Sequence, residues 1–282
     1  MYNLIYNADL FQVADVTQIR LKEKFDIRDL KVEEAFDKDI AWTPHLYGKS
    51  KYHIVCCEIA ERPFSKKIPE IHSEISISGK LVKLFVAYPQ ENSLSAKELL
   101  EDIAKAKSYG VGLINVSSDG KATIDNEGLS VHLTLPKPVI SELSRFVKPL
   151  KSQIEGAIST YINGAPKHGV QEIGQLIENI IRNLAIQARK QSKLTKGGDP
   201  SDPKYAFGNI VDDLMRQNII NNGILGNCRG FVEDRNRVSH KPRSIKQAIE
   251  VENQLKQDFI NGLRILENLP KKIKEKNFRL KL

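Results

Sequence analysis

Between Gly169 and Lys190, apolar side chains recur at Val170, Ile173, Ile177, Ile180, Ile181, Leu184 and Ala188. This is the helical period, and it predicts one long amphipathic helix whose apolar stripe must be covered by other helices or a sheet. The same period continues around it. Val139 to Tyr161 predicts one or two helices broken near Pro149, and Asn163-Gly164-Ala165-Pro166 a turn. Tyr205 to Asn218 predicts a helix with Ile210, Val211, Leu214 and Met215 inward. A last helix, capped by Ser244, runs to about Leu269 with Ile245, Ala248, Ile249, Leu255, Phe259, Leu263 and Leu266 as its stripe. Lys193 to Lys204 holds two Gly and two Pro and reads as a loop.

Upstream of Pro136 the pattern is different. A helix is expected from residue 3 to about 24, with Leu4, Ile5, Leu10, Phe11, Ala14 and Ile19 forming an imperfect stripe; Asp26 to Ile40 is ambiguous. His53 to Ile59, Lys80 to Tyr88 and Val111 to Val116 are short, mostly apolar runs, the mark of buried strands. Ile71, Ile75 and Ile77 suggest an edge strand, and Thr123–Ile124 with Leu129 to Leu135 the rest of a sheet. Ser95 followed by Glu98 predicts a capping box for a helix to Ser108, and Ser118-Asp119-Gly120-Lys121 a hairpin turn. The expected fold class is therefore α+β in two domains. An α/β sheet domain occupies 1–136, and an all-helical domain with a basic tail occupies 137–282, joined at Pro136 and Pro138.

Charge follows the same division. Residues 1–136 carry 17 Lys and Arg against 20 Asp and Glu, whereas residues 137–282 carry 26 against 15, so a polyanion would bind the second half. No apolar run is long enough for a membrane span, and the N-terminus lacks the basic region of a signal peptide. Cys56 and Cys57 are adjacent on an expected strand and point to opposite faces; with Cys228 they make no disulfide framework or zinc spacing. A cytoplasmic location and no cofactor are expected.

The chemistry concentrates in Gly226 to Ser244. Ile224, Cys228, Phe231 and Val238 fall at helical spacing with Val232 beside Phe231, and Arg235 shares their stripe. His240 lies two residues before Pro242, which cannot continue a helix, so it sits in a last turn, where the helix dipole favours imidazolium. An always-charged guanidinium can hold a phosphate, and an imidazole can move protons near neutral pH. Five residues on a straight helix is about 140° of rotation, so spacing alone does not aim Arg235 and His240 at one point.

Arg235, Asn236, then Arg237-Val238-Ser239, then His240 resembles the signature of the HEPN superfamily: Arg, a polar residue, three variable residues and His in an all-helical domain. The resemblance covers residues 140 to 270 approximately. It implies a metal-independent ribonuclease, in a superfamily that includes toxins and antiviral effectors. Arg235 would contact the scissile phosphate, His240 would act as acid or base on the 2′-hydroxyl, and Asn236 would orient the motif. Glu178, on the edge of the Gly169–Lys190 stripe, is a candidate supporting residue; Arg237, Lys241 and Arg243 would hold RNA phosphates. A sister group carries Tyr two residues after the His; here that position is Pro242, which favours the nuclease branch. Pairing of two motifs in a homodimer is expected.

The first half resembles, over about 25–125, the restriction-endonuclease-like fold, whose active members carry Pro-Asp on one strand and Glu-x-Lys on the next. Here Pro44-His45 and Glu58-Ile59-Ala60 stand at those elements. His45 replaces the metal-binding Asp and Ala60 the Lys, so the resemblance implies an inactive recognition or regulatory module, unless Asp37, Asp39 or Glu61 replaces a ligand. Two other functions remain compatible with the sequence. One is a non-catalytic nucleic-acid- or partner-binding protein. The other is a Mg²⁺-dependent DNA endonuclease using the first domain.

Overall fold

Six strands, all between Leu30 and Asn126, form one mixed sheet in the order β1-β2-β3-β4-β5-β6. The computed structural model describes residues 7, 10–136, 143–234 and 242–280, the side chain of residue 234 excepted. The strands are β1 (Leu30–Val32), β2 (Leu46–Lys49), β3 (Ile54–Ile59), β4 (Val82–Pro89), β5 (Gly112–Val116) and β6 (Ala122–Asn126). The pairs β1/β2, β2/β3 and β5/β6 are antiparallel, whereas β3/β4 and β4/β5 are parallel. Parallel neighbours need crossovers, which α2 (Ile68–Ser78) and α3 (Ala96–Ser108) supply.

Alternation along the central strands separates two cores. Val55, Cys57 and Ile59 of β3, Phe85 and Ala87 of β4, and Ile114 and Val116 of β5 face α1 (Phe11–Phe25), which contributes Val13, Ala14 and Leu21. Cys56, Leu84, Val86 and Leu113 face the other way, against Ile71 and Ile75 of α2 and Ala106 of α3. Both faces of the central strands are thus buried, which is why they read as continuous apolar runs. The adjacent cysteines do point to opposite faces and are buried thiols. The α3 capping box is present: Ser95 Oγ accepts from Glu98 N–H at 3.3 Å, and Glu98 Oε2 accepts from Ser95 N–H at 3.0 Å.

Several expectations are corrected. The Ile71–Ile77 segment is a helix, not an edge strand. Ile68, Ile71 and Ile75 are buried at 3- and 4-residue spacing, while Ile77 is 84% exposed. Pro69 sits in the first turn of α2, where its missing N–H leaves nothing unsatisfied. Leu129 to Leu135 adds no strand: Val131–Leu133 is a 3-10 turn, tied to the sheet by one bridge between Lys83 and Ser130. In α1, Thr17 and Leu21 are buried and Ile19 is 61% exposed, so the stripe is rotated from the expected one.

No strand occurs among the described residues after Asn126. Helices α4 (Lys148–Ile162), α5 (Pro166–Lys190), α6 (Phe207–Arg216), α7 (Asn222–Asp234) and α8 (Ile245–Glu275) follow. Pro149 does not break α4; it occupies the helix's second position, where proline is tolerated. The whole expected stripe of α5, from Val170 to Ala188, is buried. Gly262 of α8 is the close-approach point of three helices: a Cβ there would lie 2.5 Å from Ile173 Cγ2 of α5 and 2.7 Å from Phe231 Cζ of α7. Ile245, expected inward, is 59% exposed at the first turn of α8.

The chain divides into two units. A sheet unit comprises Met1–Lys137, Ile162–Pro166 and Pro242–Asn253. A helical unit comprises Pro138–Tyr161, Lys167–Lys241 and Gln254–Leu282. The first residues of α8 therefore belong with the sheet.

Candidate functional site

Helix α7 leads in sequence to the Arg235–His240 motif. Asn221 starts it, accepting the Ile224 N–H on its Oδ1 at 3.2 Å. Leu225, Cys228, Phe231 and Val232 are buried and Ile224 is half-buried, so the inward stripe is centred slightly off the spacing read from Ile224. Burial pushes the Cys228 thiol up to about 12, so it is a core residue and not a nucleophile at neutral pH. The helix is described through Asp234. Arg235, Asn236, Arg237, His240 and Lys241 lie outside the described residues. Beyond them Arg243 is exposed, and its main-chain N–H donates to Gln247 Oε1 at 2.8 Å. Ser244 Oγ accepts from Gln247 N–H at 3.2 Å, capping α8 as the sequence predicts.

Glu178 is half-buried on α5, 3.8 Å from Arg182. The sequence suggests a simple ion pair four residues apart, but Arg182 has a different main task. Its Nη1 donates to the Pro200 and Asp202 carbonyls at 3.0 and 3.1 Å, and its Nη2 to Tyr205 at 3.2 Å. Arg189 does the same for Gly197 and Gly198 at 3.1 and 2.9 Å. Tyr205 OH donates to buried Asp213 at 2.5 Å, an interaction that raises the Tyr205 pKa. The Gly- and Pro-rich loop is thus held by two arginines of α5, because carbonyls that leave a helix or strand ladder still need donors. Sequence spacing gave no sign of these contacts.

Between α7 and α8 lies a groove of about 500 Å³. Ile224, Phe231 and Ile265 form its apolar part, and the exposed side chains Asn227, Asn261 and Arg264 stand on its rim. Asp258, 7% exposed, lies in the groove and accepts from Gln254 Nε2 at 2.6 Å. Gly226 and Gly230 keep it open: a Cβ added to either would meet nothing within 4 Å.

In the sheet unit, the β2/β3 register pairs Leu46 with Cys57 and so brings His45 beside Glu58. His45 Nδ1 accepts from Ile59 N–H at 3.0 Å and contacts Glu58 Oε2. Trp42 Nε1 donates to Glu58 Oε1, and the Trp42 N–H to Glu74 Oε2 at 3.2 Å. The one carboxylate at the Glu-x-Lys position therefore accepts from the Trp42 indole and is packed against the His45 ring, with side chains of His45 and Glu58 only 14% and 16% exposed. Asp37 is paired with Lys80, and Glu61 accepts from Asn7 at 2.9 Å. Among the described residues no group of three or more His, Cys, Asp or Glu side chains is arranged to hold a metal ion.

A second polar cluster in this unit is invisible in the sequence, since its members lie far apart along the chain. Tyr52 OH donates to the Pro242 carbonyl, and His53 Nε2 meets Glu252 Oε1 at 2.7 Å. Glu252 is 8% exposed. Near it, burial lowers the Lys83 pKa, an effect that Glu252 and Glu127 oppose, and Lys83 Nζ reaches the Gly128 carbonyl at 3.5 Å. These contacts fix the chain that leaves the motif, from Pro242 onward, to the start of β3. No described helix is long and apolar enough to cross a membrane. Comparison with protein families, with curated proteins and with solved structures finds no match to this chain.

Proposed function

We propose that the chain is a metal-independent endoribonuclease of HEPN type. The observation that carries this reading is the Arg235-Asn236-x-x-x-His240 motif, placed in sequence between α7, which runs through Asp234, and α8, which begins at Ile245. The absence of strands among the described residues from 143 onward supports it. RNA supplies its own nucleophile, the 2′-hydroxyl, so a protein that holds the phosphate and moves protons suffices. Arg235 neutralises the developing charge, His240 transfers the proton, and Asn236 orients them; Arg237, Lys241 and Arg243 hold flanking phosphates. Glu178 supports the motif from α5. The active species is a homodimer in the cytoplasm, cutting RNA as a toxin or defence effector.

The sheet unit is a recognition or regulatory module of restriction-endonuclease-like descent. Its strand and helix order, β1-β2-β3-α2-β4 after α1, supports that descent, and the capture of Glu58 by Trp42 and His45 supports inactivity. The test is direct. The full-length protein is incubated with total RNA, with and without EDTA. Cutting is expected in both, leaving 2′,3′-cyclic phosphate and 5′-hydroxyl ends. Loss of cutting in EDTA, or cutting of DNA that needs Mg²⁺, would overturn the reading.

A further inference from the structure

β6 closes the sheet on one side, and among the described residues no strand lies along its outer edge. In an antiparallel ladder the N–H and C=O of successive residues point to alternate sides. Ser117 N–H donates to the Lys121 carbonyl at 3.1 Å, so Lys121 and Thr123 face β5, while Ala122 and Ile124 turn their N–H and C=O outward. Such open ladder groups are a template for another strand. A bulge in the β5/β6 pairing just after Ile124 ends the regular edge, so the template is short.

Its side chains say what strand fits. Lys121, Thr123 and Asp125 are exposed and alternate with Ala122 and Ile124, which pack against the core under α1. Tyr88 OH donates to Asp125 Oδ2 at 3.4 Å, but among the described residues neither Lys121 nor Asp125 is in an ion pair. Between α1 and this edge runs a groove of about 560 Å³, lined by Val16, Ile19 and Ala122 among others, and Ile19 is 61% exposed.

We propose that two copies of this chain join their sheets edge to edge through β6, antiparallel, about a two-fold axis at Thr123. In that register Lys121 faces the partner subunit's Asp125, Ala122 faces the partner subunit's Ile124, and Thr123 faces the partner subunit's Thr123. The outward residues exchange main-chain hydrogen bonds, and opposite charges meet twice. The partner subunit's Ile124 comes opposite the small Ala122, on the side of the groove where Ile19 is exposed. Neighbouring registers lose this match. An axis at Ala122 sets Asp125 opposite the partner subunit's Asp119, and an axis at Ile124 sets Lys121 opposite the partner subunit's Glu127, a residue that Lys24 already holds. The surface lies on the sheet unit and does not rest on the ribonuclease reading. Together with the pairing of motifs proposed above, it gives each chain two different two-fold contacts and hence assemblies larger than a dimer.

The test traps the pair in full-length protein. Cys56, Cys57 and Cys228 are all buried, so in Thr123→Cys the new thiol is the accessible one. Directly opposed residues of a non-hydrogen-bonded pair have Cα atoms about 4.5 Å apart, within disulfide reach. With oxidised glutathione, Thr123→Cys is expected to give a disulfide-linked dimer on a non-reducing gel. Asp125→Cys, exposed but off the axis, should link at least about ten-fold more slowly. Adding Lys121→Asp or Asp125→Lys to Thr123→Cys should slow linkage about ten-fold or more, because like charges then face each other twice. Mixing those two proteins, one of them tagged so that the mixed dimer is told by its mass, should restore it, since each acid then faces a lysine of the other chain. Circular dichroism establishes that each variant is folded, and the exposed charge changes remain a test should Thr123→Cys fail to fold, read then by sedimentation at a series of concentrations. Absence of linkage in folded Thr123→Cys, equal linkage in Asp125→Cys, or charge reversals that change nothing or that mixing fails to rescue, overturns the proposal. Linkage in a protein that cuts no RNA keeps the edge contact and defeats the ribonuclease reading. Cutting by a protein that fails to link does the reverse.

Discussion

The sheet unit and the helical unit differ in how far their polar side chains are engaged with one another. In the sheet unit they are tied to one another: Glu58 with His45 and Trp42, Asp37 with Lys80, Arg62 with Asp102, His53 with Glu252. The helical unit has such pairs too, Tyr205 with Asp213 and Arg229 with Asp212 and Glu233, but there Arg182 and Arg189 also hold main-chain carbonyls of a loop, and carboxamides stand exposed along an open groove. Paired groups stabilise a fold but have little capacity left for a ligand. Groups on an open rim contribute little to stability and are available to bind. What each polar group already touches therefore limits where chemistry can happen.

The largest expected effect tests that contrast on activity. His240→Ala should lower the RNA cleavage rate by roughly 10²-fold or more, and Arg235→Ala by about 10²–10³-fold. Glu58→Gln, which keeps the hydrogen bond to Trp42 feasible, should cut at the wild-type rate. Single-turnover assays on one RNA decide it; a Glu58→Gln enzyme as impaired as His240→Ala would reverse the assignment of roles between the units.

Alkaline pH loads the two units unequally, through Cys56, Cys57 and Tyr88 in the sheet and Cys228 among the helices. Burial raises Cys228 from its usual 9 to about 12, and Tyr88 from 10 to about 12. In both cases the folded state holds the proton more tightly than the unfolded chain. The associated stability is fully present below the unfolded pKa and is lost as pH rises toward the folded one. Cys56 and Cys57, whose thiols burial also holds well above the usual 9, add the same dependence to the sheet unit. Stability should therefore begin to fall near pH 9 in both units, with Tyr88 adding to the sheet from near pH 10, by on the order of 1 kcal/mol per pH unit for each group. Urea unfolding at pH 8, 9.5 and 11 should show a shallower pH dependence in Cys228→Ala than in wild type. Equal slopes would mean that Cys228 titrates in the folded protein as it does in water.

Glycines give the third and fourth tests. A Cβ on Gly112 in β5 would lie 2.2 Å from the ring of buried Phe85, so Gly112→Ala should destabilise by about 1–3 kcal/mol. Gly230 in α7 has open space instead, and Gly230→Ala should stabilise by about 0.5–1 kcal/mol through helix propensity. Urea midpoints of both variants check the signs. A neutral Gly112→Ala would show that the Phe85 ring has room to move.

How far the sequence could be read differs between the units for a physical reason. The α5 stripe, the α3 capping box, the central strands and the β5/β6 hairpin are local patterns of period or cap chemistry, and they are where the sequence places them. β1 and β2 are not legible, because three and four residues, Leu30–Val32 and Leu46–Lys49, are too short to show alternation. α2 reads as a strand because Ile71, Ile75 and Ile77 share odd numbering, while the residue that reveals the helical spacing, Ile68, lies on the other side of Pro69. Of the candidate site, the residues flanking the motif were legible from spacing. The roles of Arg182, Arg189, Tyr52, His53 and Glu252 were not, because each depends on partners that only the folded chain brings near.

The seating of Pro242–Asn253 in the sheet unit has a consequence for how the protein is made. The ribosome delivers the N-terminus first, at about 5–20 residues per second. The sheet up to Lys137 thus emerges roughly ten seconds before the segment that covers His53 and meets Tyr52. During that interval Tyr52 and His53 lack the Pro242 and Glu252 partners of the finished unit, and the closing piece arrives only after the Arg235–His240 motif has been synthesised. Final assembly of the first-born unit and delivery of the motif are thereby the same event in time. A nascent chain halted between His240 and Pro242 carries the motif, but its sheet unit lacks the Pro242–Asn253 segment.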